Sequence, residues 1–182
     1  MARKMTLLVF LGLMFLPALA EQNESPAAIR AMKAGEEHLR RDEFEMAIKS
    51  FTRYAALEPE RTHPYDLVAC TYLKMGSLDL ALKEIDRSHE LDSNERTGFF
   101  ANWLEGVALL RQGNVASADS FLTRAALASP SIAGQRIARA RQNTDSLFGE
   151  DDGTEQTSEP YRLKLADLLL DECIDYQLFG RQ

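Results

Sequence analysis

The chain has 182 residues, with 21 Lys+Arg against 28 Asp+Glu, a net charge of -7 and two cysteines. An acidic chain lacks the basic face that phosphate neutralisation needs, which argues against nucleic acid as the main partner and against a polybasic membrane-surface mode. Two cysteines are too few for a disulfide scaffold or a Cys-based zinc site, and 45% apolar residues suffice for a core, so one domain plus appendages is expected.

Residues 1–20 read as a secretory signal peptide. Arg3 and Lys4 form a positive start, Thr6 to Leu16 an apolar run, and Ala18-Leu19-Ala20 a small-x-small cleavage pattern before Glu21. The rival is a retained membrane anchor, but Met5 to Ala20 is short for a bilayer span and Pro17 interrupts it. Arg3 and Lys4 are the leader's only charged side chains, so the chain cut after Ala20 carries -9. The expected product is exported, secreted or periplasmic, in an oxidising compartment and without a membrane span. Asn23-Glu24-Ser25 is a glycosylation sequon, meaningful only in a cell that glycosylates it.

From residue 28 onward the chain repeats itself. Ala47, Ala81 and Ala118 serve as anchors, 34 and 37 residues apart. Twelve residues before each stands a small residue (Gly35, Ala69, Gly106), and four after each a large apolar one (Phe51, Ile85, Leu122). Leu39, Leu73 and Leu110 lie eight before, and Asp42, Gly76 and Gly113 five before, where a tight reversal falls. Pro59, Ser93 and Pro130 lie twelve after. This spacing predicts three helix pairs. The small residue of each first helix lets the second approach, and the large residue one turn later fills the gap. The helices are expected at about 27–41, 44–57, 64–75, 78–91, 98–112 and 115–128.

The segments AGEEHLRRDEFEMAIKSFTRYAALEP, VACTYLKMGSLDLALKEIDRSHELDS and EGVALLRQGNVASADSFLTRAALASP resemble the tetratricopeptide repeat (TPR) family over about residues 28–132. The repeats would span about 28–61, 62–97 and 99–132. Ser93 departs from the usual proline, Tyr54 and Ser88 stand where alanine is commoner, and three extra residues fall around Asn94 to Gly98. The fold class implied is all-α: three helix-turn-helix repeats in a short superhelical solenoid, with further helices after them.

Ser131 to Asn143 is read as the start of a capping helix within 131–148, with Ile132 and Ile137 toward the repeats and Arg136, Arg139 and Arg141 toward water. Residues 149–160, GEDDGTEQTSEP, are an acidic linker. Residues 161–182 return to helix. Lys164, Asp167, Asp171 and Asp175 form one polar stripe, and Leu163, Leu165, Ala166, Leu169, Leu170, Cys173, Ile174 and Tyr176 a wide apolar remainder. Such a helix has to bury its apolar face on the repeats, on a second copy or on a partner.

The resemblance implies that the first helix of each pair lines a concave groove. Its slots hold Ile29, Met32, Glu36, Leu39 and Arg40 in the first repeat. The second contributes His63, Asp66, Cys70, Leu73 and Lys74. The third contributes Phe100, Trp103, Val107, Leu110 and Arg111, with Phe100 and Trp103 as anchors for a ligand. The result is an apolar band edged by Arg40, Lys74 and Arg111, suited to a protein or peptide ligand that is amphipathic or acidic. These leucines also fit simple packing between repeats, and cations late in a helix are favoured by its dipole. The family's chaperone-binding subclass clamps a carboxylate with Lys and Asn, but Met32 and Glu36 occupy two of those slots.

An internal ligand is also available, because the C-terminal helix can reach back into the groove as a plug, or swap between copies in a homodimer. Cys70 and Cys173 would then either pair as a disulfide closing a loop of about a hundred residues or stay as small buried hydrophobes. His38, His63 and His89 show no metal-binding pairing, and no nucleophile elbow, phosphate loop or haem motif is present. No catalysis, cofactor or metal is expected. Exported TPR proteins of bacterial periplasms serve secretion, pilus, outer-membrane and cytochrome-maturation assemblies, and nothing in the residues chooses among these.

Overall fold

The computed structural model describes residues 24–91, 98–148 and 158–179. The leader, Asn23 of the sequon, the residues inserted around Asn94 and most of the acidic linker lie outside the described residues. Those described are helical without strands: α1 (Pro26–Arg40), α2 (Phe44–Leu57), α3 (His63–Lys74), α4 (Leu78–Leu91), α5 (Phe99–Gln112), α6 (Val115–Ala128), α7 (Gln135–Phe148) and α8 (Glu159–Phe179). A π-helical turn, Pro130–Gly134, leads into α7. None of these helices is long and apolar enough to cross a membrane.

α1 packs on α2, α3 on α4 and α5 on α6. Small residues set the approach. A Cβ on Gly35 would stand 2.4 Å from the Phe51 ring, and one on Gly106 would stand 2.7 Å from the Leu122 side chain. Ala47, Ala81 and Ala118 are fully buried, as are Phe51, Ile85 and Leu122. Packing at this closeness leaves no room for a methyl group at either glycine.

The three pairs close through the same reversal. Asp42, Gly76 and Gly113 have φ of 57, 73 and 86°. Their amides donate to the carbonyls of Leu39, Leu73 and Leu110, and the following amides donate to His38, Tyr72 and Leu109. This double hydrogen bond is the Schellman arrangement, which needs one left-handed residue and so favours Gly, with Asp tolerated.

The positions where alanine is commoner carry polar contacts instead. The Tyr54 hydroxyl donates to Glu24 Oε1 at 2.7 Å and lies 3.3 Å from His63 Nδ1. Ser88 Oγ donates to Asp66 Oδ1 at 2.7 Å, fully enclosed. A hydroxyl buried with its acceptor avoids the desolvation penalty of an unpaired polar group.

α7 runs to Phe148, and its buried residues are Ile137, Ala140 and Thr144. Ala133 is buried and Ile132 only half-buried, so the π turn rotates the first inward position by one residue. α8 begins at Glu159, two residues before the expected start, because the Ser158 hydroxyl accepts from the Tyr161 amide at 3.4 Å. Pro160 suits a first helical turn, where its missing N–H is no loss.

Candidate functional site

α8 lies across α3, α5 and α7. Tyr161, Leu165, Ala166, Leu169, Leu170, Cys173 and Ile174 are buried there, while Leu163 stays 39% exposed. The apolar face read from the sequence is therefore covered by the chain itself.

The polar stripe meets the cations. Lys74 Nζ pairs with Asp171, and Arg111 Nη2 donates to Asp167 Oδ1 at 2.8 Å. Arg111 Nη1 also donates to the Leu73 carbonyl, so one guanidinium joins α3, α5 and α8. Asp167 and Asp171 are one helical turn apart, matching two cations that sit on successive first helices. Arg40, the third member of the expected ladder, contacts Glu37 at 2.8 Å and Glu36 at 3.7 Å within α1.

The other expected groove residues divide. Met32 and Ile29 are half-buried on α1, and Leu39 is buried. Asp66 is buried against Ser88 instead of edging a groove. Leu73, Val107 and Leu110 are buried in the core. Phe100 packs at 5.6 Å from the Tyr176 ring of α8. Trp103, expected to anchor a foreign ligand, has no exposed surface, so nothing from outside reaches it in this structure.

Contacts that sequence reasoning missed hold α8 at its N-terminal end and again at Glu172. Arg136, expected to face water, donates to Glu172 Oε2 at 2.8 Å, and Arg139 reaches the same carboxylate at 3.4 Å. Arg162 donates to the Leu110 carbonyl, an α5 C-terminal acceptor. The Tyr161 hydroxyl donates to Asp145 Oδ1 at 2.6 Å, and burial together with that bond pushes its pKa up to about 12. The only sequence signal for Arg136–Glu172 was opposite charge on two helices whose mutual register a single sequence does not encode.

Cys70 and Cys173 meet at this seam, both fully buried and both free thiols. Gln177 Nε2 donates to each sulfur at 3.8 Å. The hydrogen bond with Cys173, followed by burial, pushes the Cys70 thiol well above its ordinary value. Toward the C-terminal end of α8 a cavity of about 370 Å³ remains, lined by Leu39, Arg40, Lys74, Asp171, Ile174 and Leu178 among others.

Among the described residues no group of three or more His, Cys, Asp or Glu side chains is placed to hold a metal ion. The arrangement is an apolar seam with charged edges, a surface for holding a helix. Comparison of the chain with family models, with curated proteins and with solved structures finds no match.

Proposed function

We propose that the chain is an exported, non-catalytic TPR-type adaptor whose concave groove takes an amphipathic helix, with its own C-terminal helix as the resident occupant. The observation that carries this reading is the register of α8, which sets Asp167 against Arg111 and Asp171 against Lys74. A partner in an envelope assembly would present the same pattern: acids one turn apart beside an apolar face with small residues like Ala166.

Magnitudes limit which partners qualify. Seven buried apolar α8 side chains, at about 1.5–3 kcal/mol gross for each large one, give the resident helix a strong hold. Tethering adds to it, since a linked segment has an effective concentration of roughly millimolar. A short polar peptide does not compete, whereas a long amphipathic helix does.

The test uses a labelled peptide with the sequence of residues 158–179. Asp167→Lys with Asp171→Lys in the exported chain turns both ion pairs into repulsions, so α8 leaves and the peptide is captured. Anisotropy should rise with this variant and stay flat with the wild type. No capture by a variant whose α8 exchanges freely in deuterium would overturn the reading. Light scattering in the same experiment identifies the swapped homodimer: a dimer that the variant abolishes means that α8 docks on a neighbouring copy.

A further inference from the structure

We propose that Cys70 and Cys173 are a redox latch, whose disulfide locks α8 into the groove and whose reduction frees it. The inference rests on the reading that α8 can leave. Cys70 belongs to α3 and Cys173 to α8, so a bond between them would tie the movable helix to the fixed one. The Gln177 carboxamide donates to both sulfurs at 3.8 Å, which brings the two thiols to the same point of the seam. The two cysteine side chains also hydrogen-bond each other, the proximity from which a disulfide forms.

Burial sets the order of events. Both cysteines have no exposed surface in the docked state, so no oxidant reaches them there. With α8 out, the Cys173 thiolate attacks a low-molecular-weight disulfide such as oxidised glutathione, forming a mixed disulfide and expelling one small thiolate. Before α8 redocks, the Cys70 thiolate, still open to solvent, attacks the Cys173 sulfur of that mixed disulfide and displaces the second small thiolate. Two protein thiols and one small disulfide become one protein disulfide and two small thiols. The two protons end on the released thiols, and the two electrons reduce the small disulfide. Once formed, the bond is shielded by the same burial, and a reductant acts on it only after the seam opens elsewhere.

This pair differs from two cysteines used as fillers. A filler thiol needs no donor, and Gln177 is itself buried with its amide directed at the sulfurs. The Cys70 thiol is also held neutral in the docked, reduced state, so it is inert until α8 moves.

The test treats the full exported chain with oxidised or reduced glutathione, then counts thiols after denaturation, maps linked peptides and follows deuterium exchange of 159–179. The latch predicts a Cys70–Cys173 linked peptide and α8 exchange at least about tenfold slower in the oxidised form, as for any local opening that a cross-link suppresses. Cys173→Ala and Cys70→Ala should each abolish the difference. Two free thiols, or glutathione adducts alone, while α8 exchanges faster than α2, would overturn the latch and leave the groove reading intact. A linked peptide in a chain whose α8 exchanges together with α2 in both redox states would overturn both, because the helix then never leaves on its own.

Discussion

Arg111 on α5 and Asp167 on α8 form a 2.8 Å ion pair, and the same guanidinium holds the Leu73 carbonyl of α3. Three helices are thus joined by one side chain that is only 18% exposed.

Arg111 should therefore matter more than its neighbour in the ladder. Hydrogen bonds to charged groups contribute about 1.5–3 kcal/mol when shielded. Lys74 is more open than Arg111, at 34% exposed, and its pair with the half-exposed Asp171 is worth about 0–1 kcal/mol. Urea denaturation should show Arg111→Ala losing more stability than Lys74→Ala. Raised salt should weaken the Lys74 contribution first. Equal losses would mean that Arg111 acts only as a surface charge.

Gly35→Ala should destabilise the first helix pair by about 1–3 kcal/mol, the usual effect of overpacking. The added Cβ would stand 2.4 Å from the Phe51 ring, a rigid group with no easy way aside. Phe51→Leu in the same chain should recover part of the loss by making room. Thermal denaturation of the single and double variants checks this, and an unchanged melting temperature for Gly35→Ala contradicts the close approach.

These two sites differ in how readable they were. Gly35 and Phe51 stand in a fixed spacing repeated at Gly106 and Leu122, so both the helix pair and its close approach could be anticipated from residue type alone. The turns were equally legible, since Asp42, Gly76 and Gly113 mark the three left-handed positions. What α8 covers was not legible. Its amphipathic pattern demanded a partner surface, yet pattern alone did not choose between the chain's own helices and another protein's. The bond of Arg136 to Glu172 follows from that docking, so it escaped a residue-by-residue reading.

His89 supplies a pH dependence. Its imidazole lies 2.9 Å from Glu105 Oε2, and that hydrogen bond raises the pKa above the usual value. A raised folded pKa means that the folded state holds the proton more tightly than the unfolded one. The stabilisation is complete below the unfolded value of about 6.5 and fades as pH rises through the folded value. Glu105→Gln should thus cost more stability at pH 5.5 than at pH 8.5, by chemical denaturation at the two pH values. A pH-independent difference would show that the pair contributes no proton linkage.

The central claim is that α8 is a separable occupant and not an inseparable part of the core. Deuterium exchange of the full chain, wild type against Asp167→Lys with Asp171→Lys, addresses it most directly. The account predicts that amides of 159–179 exchange much faster in the variant, while those of α2 and α6 keep their wild-type protection. Loss of protection in α2, α6 and α8 together would show one cooperative unit and contradict the claim.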